Sequence, residues 1–142
     1  DVERSRGLGD VYKRQEVGKV LESSVFKYCS FQDIALEGMQ TDAVMLGCKV
    51  RSLNWYWGLF NCCLIADTRF ESCVFRGTSF SSCRFLNCEF IGCSFEQDSF
   101  GGLCQFDDTQ WYGGKAAGCS GLPGYAFAAG GLRRVNDIST RI

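Results

Sequence analysis

Phenylalanine recurs on every fifth residue from Phe70 to Phe100, and two places before each ring stands Thr68, Cys73, Thr78, Cys83, Cys88, Cys93 or Asp98. A period of five fits neither the 3.6 of an α-helix nor the 2 of a strand, so the chain folds around another unit. That unit is a short extended stretch followed by a corner. Three extended residues aim the Phe and the small residue two before it to the same side. The next two turn the chain by roughly a right angle. Four such sides close a coil of about twenty residues, and coils stack as parallel strands ~4.8 Å apart.

Stacking sets like on like. Phe70 is expected under Phe90, Phe75 under Phe95, Phe60 under Phe80 and then Phe100, and Ile65 under Phe85. Cys63 falls under Cys83 and Cys73 under Cys93, with Cys88 at the same inward place. The units Cys83-Arg84-Phe85-Leu86-Asn87 and Cys93-Ser94-Phe95-Glu96-Gln97 resemble the motif of the pentapeptide-repeat family: a small residue, any residue, Leu or Phe, then two polar residues. The resemblance covers 63–100 closely and 24–46 and 104–111 more loosely. It implies an all-β fold, a right-handed quadrilateral parallel β-helix. It specifies a fold far better than a function.

Following the frame outward gives one solenoid over residues 16–113, of about five coils. The units beginning at Ser24, Cys29, Ile34, Met39 and Val44 sit one residue out of step with the middle, which places a missing residue near Gly47. After Gly101-Gly102 the frame restarts at Cys104-Gln105-Phe106 with one residue too many. Glycines suit the bulge or widened corner that such a change requires. Residues 1–15 stand apart: Asp10-Val11-Tyr12-Lys13-Arg14-Gln15 resembles a translated sequencing adapter, the alternative being a charged disordered tail. Residues 114–142 turn to Gly and Ala and read as an unstructured or frameshifted tail. Both ends lead to the expectation that the sequence is a fragment.

Ten cysteines and no histidine bear on chemistry. Stacked cysteines have parallel Cβ vectors, which hold their Cβ atoms near ~4.8 Å, beyond the span a disulfide accepts. Reduced thiols packed as small apolar groups are the better reading, with disulfides and metal as lesser alternatives. Zinc is disfavoured without His or C-x-x-C, because a five-residue spacing sends neighbouring thiols to different sides. Free thiols point to a reducing, cytoplasmic location. Cys62 alone faces outward as a reactive thiol.

The sequence supplies no catalytic residue, cofactor site or metal site. Glu71, Glu89, Glu96 and Asp67 fall outward, where solvated surface is their role. Asp98 falls at the inward small place; a corner cap or an opening coil is favoured there over a catalytic acid with raised pKa. Fifteen basic and sixteen acidic side chains, interspersed, argue against direct nucleic-acid binding. No apolar run reaches the ~20 residues that span a bilayer. Arg69, Arg76 and Arg84 alternate with the outward glutamates as an ordinary ion-paired face.

Trp55-Tyr56-Trp57 is the distinctive outward feature. The frame aims Trp55 inward and Tyr56 and Trp57 out at a corner, a candidate partner-binding pair. The alternative is that Trp55 is too large for the bore, so the coil bulges and the aromatics pack on its rim. Three functions stay open: a non-catalytic scaffold for an unidentified protein partner; a DNA mimic binding a type II topoisomerase, which the resemblance brings in; and one module of a larger effector or regulator. The resemblance also implies an end-to-end dimer for the second. The mixed charge here departs from the acidic surface of those members.

Overall fold

The computed structural model describes residues 4–6, 11–12, 22 and 24–127. The described chain has no helix and winds as stacked parallel strands on four faces. On the first face Ser24–Lys27, Val44–Leu46, Leu64–Ala66, Arg84–Leu86 and Gln110–Tyr112 lie side by side, four successive turns. The second face carries Lys49 beside Arg69 and then Glu89, and the third carries Asn54 beside Val74 and then Ser94. The continuous strands Ser30–Glu37 and Lys49–Tyr56 bend across both. The fourth carries Gln40, Leu59 and Ser79.

Why the small inward place takes Cys, Thr or Ser is visible in its hydrogen bonds. Its side chain donates to a carbonyl one coil below: the Cys83 thiol to Phe60 O at 3.3 Å, Cys88 to Ile65 O at 3.2 Å, and the Thr78 hydroxyl to Trp55 O at 3.0 Å. An aliphatic group can fill this place, as buried Ile34 and Leu53 do lower in the solenoid, but it donates no such bond. The centres fill the bore. Phe60, Ile65, Phe70, Phe75, Phe80, Phe85, Phe90 and Phe95 are buried, as are Cys63, Cys73, Cys83, Cys88 and Cys93. Like rings stack up the columns, Phe70 on Phe90 at 4.7 Å and Phe60 on Phe80 at 4.6 Å, while rings around one coil meet edge-on. Each buried Phe contributes on the order of 2–3 kcal/mol of transfer free energy.

Corners are made by left-handed residues two places after each centre. Ser52, Trp57, Cys62, Asp67, Ser72, Ser82 and Asn87 all have φ between 51° and 59°, and Gly77 takes the same place. The N–H freed at each corner donates to the next coil, as from Cys62 to Ser81 O and from Asp67 to Leu86 O, both 2.8 Å. These bonds hold residues without Gly's freedom in a region that is otherwise costly.

The register departs from the sequence reading in several places. The lower coils step by 19 residues, Phe31 to Val50 and Thr41 to Phe60, while those above step by 20, Met45 to Ile65 and Phe70 to Phe90. The missing residue therefore lies between Thr41 and Met45, not near Gly47. Ala43 and Met45 point inward in place of Val44 and Leu46, and the Thr41 hydroxyl accepts from Ala43 N at 3.1 Å to close the short corner. Met39, assigned an inward place, is 46 % exposed with φ of 63°. Phe100 is likewise corrected: it is 84 % exposed, and Phe106 stacks on Phe80 instead. From there the step is 26, Phe85 to Trp111 and Glu89 to Lys115, so a whole five-residue unit plus one is extruded.

At the C-terminal end the frame passes the expected limit at 113. Lys115–Ala117 pairs with the strand at Glu89, Ser120 bridges to Ser94, and the Cys119 thiol donates to Phe90 O at 3.1 Å. Tyr125 and Phe127 then close over the bore, Tyr125 OH donating to Phe106 O at 3.2 Å and both rings lying about 6 Å from Trp111. Those residues cap the end, so the expected unstructured tail does not begin at 114; residues 128–142 lie outside the described residues. At the other end Arg4–Arg6 and Val11–Tyr12, set apart from the fold on sequence, pair in parallel with Ser24–Phe26 and Ser30–Phe31. An open strand edge offers unpaired backbone groups that such segments satisfy. The rest of 1–15 lies outside the described residues.

Candidate functional site

Trp55 enters the bore without a bulge because its neighbour is glycine. A Cβ on Gly58 would lie 2.5 Å from the indole ring, and the indole N–H donates to Gly38 O at 2.7 Å. With Trp55 seated, Tyr56 and Trp57 are directed outward at the corner between the third and fourth faces, their ring centroids 4.4 Å apart. The extruded segment that follows Gln97 folds down onto them. Trp57 Nε1 donates to Asp98 Oδ2 at 2.8 Å, Tyr56 OH and Ser99 Oγ lie 2.8 Å apart, and Ser99 N donates to Tyr56 OH at 2.8 Å. The Phe100 ring lies parallel to Trp57 at 6.1 Å.

Asp98 ties the segment into a loop. Its Oδ1 accepts from Phe100 N at 2.8 Å and Gly102 N at 2.7 Å, and Asp98 N donates to Gly102 O at 2.9 Å. The Trp57 indole N–H, aided by the Gly102 amide, holds the Asp98 carboxyl below its usual range. Asp98 is therefore a loop cap at the surface. Gly77 makes the approach feasible, since a Cβ there would meet Asp98 Cβ at 2.8 Å and Trp57 Cδ1 at 3.0 Å.

The result is a raised aromatic patch on an otherwise flat solenoid. Trp57 is 40 % exposed, and Phe100 and Leu103 stand out further, while Arg76 lies 5.7 Å over the Tyr56 ring. Tyr56 and Trp57 came from the sequence; Asp98, Ser99 and Phe100 as their partners did not. The surplus residue beside Gly101-Gly102 was the available signal, hidden because Phe100 keeps the five-residue period.

Elsewhere several of the outward arginines are ion-paired, and most of the thiols are buried. Arg69 meets Glu71 and Glu89 at 3.6 and 3.3 Å, Arg76 meets Glu96 at 3.6 Å, and Arg84 meets Asp108 at 3.9 Å. None of the ten cysteines is in a disulfide, and Cys62 is exposed. Burial pushes the Cys88 thiol up to about 12 and raises Cys48 and Cys104 as well. Among the described residues no group of three or more His, Cys, Asp or Glu is placed to hold a metal ion, and no helix is long and apolar enough to cross a membrane.

Residues 60–97 match the family model for pentapeptide repeats in eight copies. No curated protein matches the chain. Among solved structures, a trypsin-treated form of QnrB1, described as a plasmid-mediated fluoroquinolone resistance protein, is 12 % identical; the match covers 78 % of this chain and 92 % of that one with a TM-score of 0.17.

Proposed function

From the premise that residues 60–97 are pentapeptide repeats, we infer that the chain is a non-catalytic scaffold that binds another protein through the Tyr56–Trp57–Phe100 patch. The observation that carries this is the loop itself. The frame is broken at the cost of one ordered extra unit, and what the break supplies is a Phe beside Trp57, fixed by Asp98 and Ser99. Rigid aromatic groups standing above a polar surface are what interface hot spots are made of. Free thiols support a reducing compartment, the cytoplasm, as its location.

A photo-crosslinking residue at position 100, compared with one at Arg51 on the second face, tests the reading in lysate of the source cells. A discrete product from position 100 that disappears with Trp57→Ala is expected. The same products from both positions, or none from position 100, would overturn it. The topoisomerase suggested by the family resemblance is tested separately: supercoiling by gyrase that is unchanged at micromolar protein removes it.

A further inference from the structure

The first face lies across the bore from the aromatic patch, and its outward side chains differ from those of the other three. Its two outward columns run Val25, Val44, Leu64 and Leu46, Ala66, Leu86 up the solenoid to Tyr112. The second face carries Lys49, Arg51, Arg69, Glu71 and Glu89 at the corresponding places. Leu64, Leu86 and Tyr112 are 39, 36 and 43 % exposed. Tyr28 widens the strip by lying over the corner at Gly47, where a Cβ would meet its ring at 2.8 Å. A contiguous apolar strip of this kind marks an interaction surface.

The edges of the strip are acidic. Asp67 stands exposed at one corner, and Asp107 and Asp108 stand exposed at the other. Of the two cations in the strands of this face from Ser24–Lys27 to Gln110–Tyr112, Arg84 is drawn off to the corner by Asp108, its Nη1 donating to the Asp108 carbonyl at 2.7 Å. Lys27 sits at the far, N-terminal end.

We propose that this face docks an amphipathic helix of a partner protein, with an apolar stripe flanked by lysine or arginine. The backbone groups of the face are consumed by the strand ladder, so the occupant must satisfy its own, which a helix does. Four strand steps give a strip ~19 Å long, the length of about 13 helical residues. The acidic edges select basic flanks and disfavour a second copy, because a two-fold pairing would set Asp against Asp. This surface is independent of the aromatic patch.

The test uses the full chain and a labelled 14-residue peptide of Leu and Lys in amphipathic helical order, read by fluorescence anisotropy. Two controls accompany it, a permuted peptide of the same composition and a Leu/Glu counterpart. Binding of the ordered Leu/Lys peptide is expected, weakened at least tenfold by Leu64→Lys with Leu86→Lys and unchanged by Trp57→Ala. Asp67→Asn with Asp108→Asn should flatten its salt dependence. Thermal melts establish that each variant is folded. Equal binding of the Leu/Glu or permuted peptide, or a folded Leu64→Lys, Leu86→Lys variant that binds like the parent, would overturn the proposal. So would self-association in light scattering that the same double variant abolishes, which would make a second copy the occupant.

Discussion

Phe80 and Phe106 stack with centroids 5.2 Å apart and planes 3° from parallel, in the column that the five-residue period reserves for Phe100. Phe80 thus has an aromatic neighbour above and below, Phe106 and Phe60, and edge contacts with Phe75 at 5.5 Å and Phe95 at 6.1 Å. Truncating it opens a cavity that stiff ladders on all sides cannot close. Phe80→Ala should cost ~3–5 kcal/mol in urea melts, whereas Phe100→Ala, outside the bore, should cost less than about 1 kcal/mol. Equal losses would place Phe100 back in the column.

The loop is held by a carboxylate, so it should respond to acid. Asp98 has its folded pKa depressed by the Trp57 indole N–H, with the Gly102 amide next. Its contribution is then present above the ordinary Asp value of ~3.9 and is lost as pH falls through the lower folded value. The Trp57 indole N–H resonance should shift in that acid window while the core aromatic signals stay put. Asp98→Ala should give the shifted signal already at neutral pH. A Trp57 signal indifferent to both would mean that the carboxylate does not fix the loop.

Alkali tests the bore. Burial raises Cys88 to about 12 and moves Cys48 and Cys104 in the same direction. Unfolded thiols ionise from about pH 8.5 while the folded ones stay protonated, so the unfolded state binds fewer protons. Stability is therefore full below that pH and falls steadily above it. Melting temperatures should decline from pH 8.5 upward, and a thiol reagent at pH 8 should show a fast phase that Cys62→Ser removes. Rapid reaction of Cys83 or Cys88 in the folded protein would contradict the burial seen here.

The middle of the solenoid was legible because Phe and Cys differ so much in size that only one frame fits. Legibility failed where that contrast vanished. Ala43, Val44, Met45 and Leu46 are all apolar, so either of two frames reads acceptably, and only the strand pairing of Met45 with Ile65 decides. Gly114 and Ala116 hold the small and central places of a real unit, but without a ring they resemble low-complexity sequence. Gly114 must be small, since a Cβ there would lie 2.1 Å from Cys88 O. The partnership of Trp57 with Asp98 spans 41 residues and depends on a loop length that no local pattern encodes.

Excising 98–103 separates the loop's role from the solenoid's. The upper coil steps by 26 residues where its neighbours step by 20, so removing six returns Cys104 and Phe106 to the places the period assigns after Phe95. Gln97 then falls at the corner. The shortened chain should keep its β spectrum, with stability within about 1 kcal/mol of the parent, because an excluded surface loop costs mainly closure entropy. With the photo-crosslinking residue moved to Arg76, beside the Tyr56 ring and outside the excised segment, the partner captured by the parent should be lost. Loss of the fold would make the loop structural and remove the reason for reading it as an insertion kept for binding. Retention of both fold and partner would move the binding surface elsewhere on the solenoid.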